Sequence, residues 1–395
     1  MILSKKALSI SPSSTLAIDA KAKRMKAEGI DIIGFGAGEP DFDTPDHIKQ
    51  AAIKAINDGF TKYTPASGTL DLKKAICEKF KKENGLDYTP ANIVISNGAK
   101  HSLVNAFQAI CNPGDEVIVP APYWVSYPEM IKLADGVPVI LNTTEEDNFK
   151  FTIDKLEAAI TDKTKAIVIN SPSNPTGMVY SEEELRAIAE IAVKKNIFII
   201  SDEIYEKLIY DGYKHISIAS FDEKIKDLTI IINGMSKTYS MTGWRIGYSA
   251  SNAEIAKIMG NVQSHATSNP NSIAQKAAEA ALTGPQDAVE MMKAEFVKRR
   301  DYMVDRINKI EGLSCIKPNG AFYVMMNISK LIGKVIDGVV IKGSDDFADL
   351  LLEKANVALV PGSGFGTDIH VRLSYATSME NIKEGLNRIE KFLTK

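Results

Sequence analysis

Side chains of four different chemistries stand just beyond short β-rich runs of this chain. Asn174 follows Lys165–Asn170, Asp202 and Tyr205 follow Ile197–Ser201, and Lys237 follows Leu228–Asn233. A lysine at a strand end, partly desolvated and near Arg245, has a lowered pKa and becomes a nucleophile. An amine nucleophile points to an imine with a carbonyl compound. A buried acid holds a protonated ring nitrogen beside it, which makes a pyridine ring a better electron sink. A phenol and an amide donating to a ring oxygen would tune that imine. The set suits pyridoxal phosphate (PLP) better than other cofactors. The same residues also describe a structural strand-end Asp and a solvated surface lysine, so both readings stand at this point.

A phosphate site would favour the first reading. Ser96-Asn97-Gly98-Ala99-Lys100 joins a strand to a helix, so unpaired backbone N–H groups at the helix start can cradle an anion. Gly98 permits close backbone approach. Arg245, eight residues after Lys237 in Gly243-Trp244-Arg245-Ile246-Gly247, adds a charge-assisted donor. Taken singly, the glycine turn also describes an ordinary tight connection.

These residues must be positioned by elements that the sequence pattern outlines. Seven β-rich runs recur: Asn92–Ser96, Glu116–Val119, Val137–Leu141, Lys165–Asn170, Ile197–Ser201, Leu228–Asn233 and Arg245–Ser249. Helical patterns lie between many of them, as at Ala99–Ile110 and Glu182–Lys195. In the second, Leu185, Ile188, Ala189, Ala192 and Val193 share one face, and Ser181 with Glu184 forms a capping box. Near-continuous apolar strands alternating with helices predict an α/β fold with a mostly parallel sheet between helices. Ligands bind beyond the carboxyl ends of such strands, where the amide, acid, phenol and lysine converge.

At 395 residues the chain exceeds one comfortable core, which stops growing at roughly 250–300 residues. Residues 46–290 are expected to form the large domain. Residues 291–395 form a smaller α+β domain, with a helix Met291–Ile310, a strand Ala321–Met326, a helix Ser344–Ala355, a strand His370–Tyr375 and a last helix. Residues 1–45 are an N-terminal arm that completes it. Gly34-Phe35-Gly36-Ala37-Gly38 and Gly362-Ser363-Gly364-Phe365-Gly366 lack the GxGxxG fingerprint of nicotinamide-dependent dehydrogenases. They read as flexible loops near the domain junction, able to let the small domain close.

Composition narrows the partners. Hydrophobic content of 45% and charged content of 25% suit a soluble globular protein, and a net charge of −3 offers no field for nucleic acid or anionic membranes. Cys77, Cys111 and Cys315 stand far apart and read as buried thiols in a reducing compartment. The N-terminus lacks a signal-peptide pattern and no run approaches the roughly 18 apolar residues of a membrane span, so a cytoplasmic location is expected. His47, His101, His215, His265 and His370 lack metal-type spacing, and no metal is expected.

The motifs together resemble a family. Asn174-Pro175-Thr176-Gly177, Ser201-Asp202-Glu203-Ile204-Tyr205, Ser236-Lys237-Thr238 and Gly243-Trp244-Arg245-Ile246-Gly247-Tyr248 follow in the order and spacing of the class I aminotransferases, fold-type I PLP enzymes. Gly38-Glu39-Pro40-Asp41-Phe42, Tyr123-Trp124 and Val371-Arg372-Leu373-Ser374 also look like that family, and the details resemble its bacterial aspartate aminotransferase subgroup.

The resemblance implies roles residue by residue. Lys237 carries the cofactor as a Schiff base and moves the Cα proton, and Asp202 pairs with the ring nitrogen. Tyr205 and Asn174 donate to the ring oxygen, and Trp124 stacks on the ring face. Gly98, Ala99 and Lys100 at the helix start, with Ser236 and Arg245, surround the phosphate. Arg372 binds the substrate α-carboxylate through a fork that Lys could not reproduce, helped by Gly38 and Asn174. Tyr63 looks like the tyrosine that reaches the partner's phosphate, which implies a homodimer with composite active sites. At least one of Ala121-Pro122 and Asn174-Pro175 is expected to be cis.

One major subgroup binds the distal carboxylate of the substrate with an arginine after the cofactor lysine, yet Ile246 to Lys276 contains none. In the bacterial subgroup a lysine at the start of the phosphate-site helix serves instead. Lys100 stands there, with Thr15 as the matching hydroxyl. The implied reaction is transamination between aspartate and 2-oxoglutarate. The alternatives are an aromatic or a glutamate/aspartate-prephenate aminotransferase, and a PLP-fold regulator without catalysis.

Overall fold

The computed structural model describes residues 3–12 and 14–394 of the chain. Its centre is a seven-stranded sheet made of β2 (Ile93–Ser96), β3 (Glu116–Ala121), β4 (Val137–Asn142), β5 (Thr164–Asn170), β6 (Phe198–Asp202), β7 (Thr229–Gly234) and β8 (Gly247–Ala250), in the order β2-β8-β7-β6-β5-β3-β4. All pairs are parallel except the two that β8 makes with β2 and β7. The central strands are apolar on both faces because both faces are covered. Along β6, Ile199 packs with Leu185, Ile188 and Ala192 of the helix Glu182–Lys195. Its neighbour Ile200 points the other way, into a cluster with Leu103 and Phe107 of the helix Ala99–Ile110 and Met259 of the helix Ala253–Ala266. Successive side chains on a strand alternate faces, so each strand serves two cores. The capping box forms as expected: Ser181 Oγ accepts from Glu184 N at 3.2 Å, and Glu184 Oε2 accepts from Ser181 N at 2.7 Å.

A second sheet, antiparallel throughout, comprises β9 (Ser314–Cys315), β10 (Tyr323–Asn327), β14 (Val360–Pro361) and β15 (His370–Ser374), in the order β14-β15-β10-β9. Between them lie the hairpin β11 (Val335–Ile336) and β12 (Val339–Val340), and β13 (Val357–Ala358). Val324, Met326, Val371 and Leu373 pack against Phe296 and Met303 of the helix Asp287–Ile307 and Ile382 and Ile389 of the helix Met379–Leu393. The N-terminal strand β1 (Ile33–Gly34) pairs in parallel with β13, and Phe35 enters the same core.

Some expected boundaries move, for identifiable reasons. The long helix begins at Asp287 rather than Met291, where Asp287 and Glu290 complement the positive end of its dipole, and it ends at Ile307. The run Ser344–Ala355 divides into an α-helix to Leu350 and a wider turn Leu351–Ala355. Arg245 is not a strand residue: its φ of 57° is left-handed, and β8 begins two residues later. The Gly34–Gly38 segment is tied down rather than loose. Phe35 N donates to Ala358 O at 2.8 Å, Phe35 O accepts from Ser374 N at 2.8 Å, and Gly36 O accepts from Arg372 Nη2 at 2.8 Å. Gly362–Phe365 forms a short 3-10 helix. Ala121-Pro122 and Asn174-Pro175 are both cis, as is Ser171-Pro172, which the sequence reading did not single out. No described helix is long and apolar enough to cross a membrane.

Candidate active site

A cleft of about 560 Å³ opens beyond the carboxyl ends of β3, β5, β6 and β7 and is closed on its other side by Tyr323, Ala358 and Arg372. Lys237, three residues past β7, lies in its floor and donates to the Gly38 carbonyl. Burial pushes the Lys237 amine down to about 8; the Arg372 and Arg245 charges act in the same direction, and Glu39 and Asp202 oppose them. Asp202 ends β6 and is buried. Its Oδ2 accepts from Tyr127 OH at 2.6 Å and its Oδ1 from Ile204 N at 3.3 Å. Burial raises the Asp202 carboxyl to about 6 despite those two donors. An acid and an amine thus share one cleft, each driven toward its neutral form by desolvation.

The 170s loop is folded onto the end of β6 by Asn170, whose Nδ2 donates to Asp202 O at 3.0 Å and whose Oδ1 accepts from Asn174 N at 2.7 Å. This orients Asn174, whose Oδ1 accepts from Arg372 Nη1 at 3.0 Å. The Arg372 guanidinium is sandwiched between the rings of Tyr323, 4.4 Å to the centroid, and Phe365, 5.0 Å. Tyr205 OH and Tyr323 OH are 2.8 Å apart, both buried. Trp124 meets Tyr127 edge to face with centroids 5.4 Å apart.

At the other end of the cleft, Gly98 caps the helix Ala99–Ile110 with φ 87°. A Cβ on Gly98 would come within 2.3 Å of Arg245 Nη2, and one on Gly247 within 2.1 Å of Ala99 N, so both glycines are required for this close approach. Arg245 Nη1 donates to Thr242 O at 2.8 Å and Nη2 to Asn97 O at 3.4 Å. Ala99 and Ser236 line the cleft beside it. Lys100 also lines it; its ammonium sits 4.9 Å from the centre of the Trp124 ring, and burial followed by the Arg245 charge lowers its pKa. Its neighbour His101 instead accepts from Asn97 N through Nδ1 at 3.2 Å, a local brace. Thr15 reaches the cleft mouth. Tyr63 does not line the cleft in this chain and is 90% exposed.

Of the residues proposed from the sequence, only Tyr63 thus stands apart, and Gly98 acts one residue behind the wall. Tyr127, Tyr323 and Asn170 were missed. For Tyr127 a signal existed, since Trp124 and Tyr127 are three residues apart at a helix entrance and so face the same way. Tyr323 carried none, because its partner Tyr205 lies 118 residues away, whereas Asn170 stands only four residues before its partner Asn174.

Pyridoxal phosphate fits this donor set. A buried carboxylate that has no basic partner at hydrogen-bond distance among the described residues matches a cationic ring nitrogen. The glycine-lined helix start with Arg245 matches a phosphate, and a half-buried amine of lowered pKa matches a covalent attachment.

Immediately after Asp202 a second buried polar group begins. Glu203 Oε1 accepts from Ser201 Oγ at 2.9 Å and Ser217 Oγ at 2.7 Å, while its Oε2 lies 2.9 Å from His215 Nε2. Glu206 is paired with Lys79 and accepts from Asn233 Nδ2 at 2.8 Å. The ligand-type atoms of Glu203, Glu206 and His215 lie within 4.8 Å of one another, but Lys79 already supplies the compensating charge.

Comparison with known proteins bears on the whole chain. Residues 30–389 match the family model for aminotransferase class I and II. An aspartate aminotransferase of Bacillus sp. strain YM-2 is 54% identical over 392 residues, 99% of each chain. An aspartate/prephenate aminotransferase of Nitrosomonas europaea is 49% identical over 397 residues, covering 100% of both. The crystal structure of an aspartate aminotransferase from Rhizobium meliloti superposes with a TM-score of 0.96 at 46% identity, over 100% of this chain and 99% of that one.

Proposed function

The chain belongs to the class I and II aminotransferases and is a PLP-dependent transaminase; from that premise we propose that it passes the amino group of L-aspartate to 2-oxoglutarate in two half-reactions, leaving oxaloacetate and L-glutamate. Bound pyridoxal phosphate supplies an electron sink for the charge that develops at the substrate Cα. The rest of the work falls to the side chains. Lys237 attaches the cofactor and, as a half-buried amine near pKa 8, takes the proton from the substrate Cα. Asp202 keeps a negative charge at the ring nitrogen, and Tyr127 holds that carboxylate in place. Asn174 and Tyr205 serve the ring oxygen, Trp124 the ring face, and Arg245, Ser236 and the N–H groups at Gly98, Ala99 and Lys100 the phosphate. Arg372, pinned by Gly36 and Asn174, presents its fork to the α-carboxylate, with Gly38 beside it. Lys100 and Thr15 receive the distal carboxylate. The position of Lys100 on the cleft wall supports this role, since a cation at a helix N-terminus opposes the dipole unless an anion joins it.

The reading extends to assembly. The enzyme works as a cytoplasmic homodimer, with Tyr63 reaching the partner's phosphate; the exposure of that ring supports this. Residues 1–45 form an arm that completes the small domain 291–395, and 46–290 form the large domain. The pairing of β1 with β13 favours that division.

The observation that carries the function is the meeting of half-buried Lys237 with buried Asp202 and Arg372 in one cleft. The test is the visible spectrum of the purified protein, which should bleach with aspartate and return with 2-oxoglutarate. A spectrum that responds to phenylalanine and ignores aspartate would overturn the substrate. Lys100→Ala should raise KM for aspartate about 10- to 100-fold and leave phenylalanine nearly unchanged; equal effects would remove Lys100 from the site. A second reading, in which prephenate is also an acceptor, is favoured by the aspartate/prephenate relative at 49% identity.

A further inference from the structure

Residues 39–44 lie between β1 and the helix Asp46–Asn57, and the proposed function leaves them without a task. They pack against residues 236–245, in the loop from β7 to β8 that carries Lys237 and Arg245. Two residues of that loop, Ser240 and Arg245, have left-handed backbone, with φ of 52° and 57°. A Cβ makes this region costly, so such residues persist only where their surroundings over-determine them. Thr44 meets the loop at both ends of this stretch. Its Oγ1 donates to Ser240 O at 2.6 Å and accepts from Trp244 Nε1 at 3.0 Å. We propose that Thr44 is a positioning residue for cofactor binding, whose hydroxyl holds the loop in the strained shape that presents Arg245 to the phosphate. This rests on the reading of Arg245 as a phosphate donor.

One hydroxyl can serve both contacts, because it holds a single proton and two lone pairs. Donation to Ser240 O turns a lone pair toward the indole, and the branched Cβ of threonine leaves few alternatives for χ1. The loop's own backbone bonds are long: Met241 N donates to Ser236 O at 3.2 Å and Trp244 N to Met241 O at 3.3 Å. Its shape is therefore imposed from outside. Trp244 directly precedes Arg245, so a fixed indole fixes the peptide from which the guanidinium turns back. Arg245 Nη1 then donates to Thr242 O at 2.8 Å, and Thr242 Oγ1 donates to Glu39 Oε2 at 2.6 Å, a second tie to the same segment. The tolerance is small, since a Cβ on Gly98 would come within 2.3 Å of Arg245 Nη2.

Residues 39–44 are themselves held firmly. Asp41 Oδ1 accepts from Arg299 Nη1 at 2.7 Å, and the Arg299 side chain is buried on the helix Asp287–Ile307. The same guanidinium lies over Phe42, 5.0 Å from the ring centroid, and Phe42 meets Phe296 edge to face at 5.5 Å. Beyond Thr44, Pro45 opens the helix Asp46–Asn57. Thr44 is thus presented from a support fixed on both sides. It reaches Trp244 across 200 residues, so no local pattern in the chain announces the contact.

The experiment starts from the holoenzyme, strips the cofactor, and measures rebinding of PLP and of pyridoxal, which has no phosphate. Thr44→Val deletes the hydroxyl and keeps the side-chain shape. It should weaken PLP binding about 10-fold and pyridoxal binding less than about 2-fold, because pyridoxal has nothing for Arg245 to hold. Thr44→Ser keeps the hydroxyl and should recover most of the loss. Trp244→Phe breaks the same contact from the other side and should reproduce the selective loss. In Arg245→Ala protein, adding Thr44→Val should leave PLP affinity unchanged. Wild-type PLP affinity in both Thr44→Val and Trp244→Phe would overturn the proposal, as would equal losses for PLP and pyridoxal. So would a Thr44→Val loss that persists without Arg245, since Thr44 would then act by another route. PLP affinity untouched by Arg245→Ala alone would overturn the phosphate reading beneath it, a different failure.

Discussion

Asp202 and Glu206 are four residues apart and both buried, yet their surroundings push them in opposite directions. Among the described residues Asp202 meets two neutral donors and no cation at hydrogen-bond distance, and burial raises its carboxyl to about 6. Glu206 suffers a comparable burial, but the Lys79 ammonium outweighs it and takes the carboxyl down to about 2. The two sites divide the labour at the end of β6. One carboxylate is kept short of compensation, so that a cationic ligand gains from meeting it. The other is compensated by the fold and holds the fold together. Burial alone therefore says nothing about function; what matters is whether the protein supplies the counter-charge itself.

The comparison can be broken or sharpened by substitution. The largest effect is expected on the cleft side, where Lys237→Ala should lower transamination by roughly 10⁴-fold or more and abolish covalent cofactor attachment, with unfolding by urea little changed. On the other side, Glu206→Gln should cost about 2–4 kcal/mol of stability, because buried Lys79 loses its buried carboxylate and keeps only Asn84 Oδ1 at 2.9 Å and the more distant Glu83 at 3.6 Å. Purified Glu206→Gln protein with wild-type stability would erase the distinction between the two carboxylates.

Asp202→Asn should reverse that pattern, lowering turnover by roughly 10²–10³-fold while the fold is retained. Its pH dependence has a definite sign. The folded value of about 6 lies above the usual 3.8, so the ionised acid destabilises the cofactor-free protein at neutral pH by about 3 kcal/mol. That cost fades as pH falls through 6 toward 4. Without cofactor, Asp202→Asn should therefore be the more stable protein at pH 7 and converge on wild type near pH 4. Glu206 contributes with the opposite sign: its stabilisation is present above the usual 4.5 and is lost as pH falls through about 2. Urea titrations of both variants against pH separate the two. The smallest effect belongs to Ser217→Ala, which removes one donor from Glu203 and should cost about 1–2 kcal/mol with turnover unchanged.

Much of the cleft was legible because its chemistry is written in short contiguous motifs at strand ends. Asn174, Asp202, Tyr205 and Lys237 each follow a run of β-branched residues, and a parallel sheet aligns the ends of its strands. Gly98 was equally legible, since a strand–glycine–helix junction has few physical explanations. The reading was weaker where backbone geometry departs from pattern. Arg245 looked like part of a strand, but its left-handed φ turns its guanidinium back toward Asn97. The glycines at 34–38 suggested looseness, whereas pairing with the distant β13 and β15 holds that segment.

The amino-acid sequence by itself determined the α/β architecture, the class of chemistry and most of the groups at the cleft, because periodicity and local motifs act over a few residues. Only the tertiary structure decided which of those groups are compensated. Lys79 reaches Glu206 across 127 residues, Tyr323 meets Tyr205 across 118, and Arg372 meets Asn174 across 198. Electrostatic interaction depends on distance and burial in space, and neither can be read from a position along the chain.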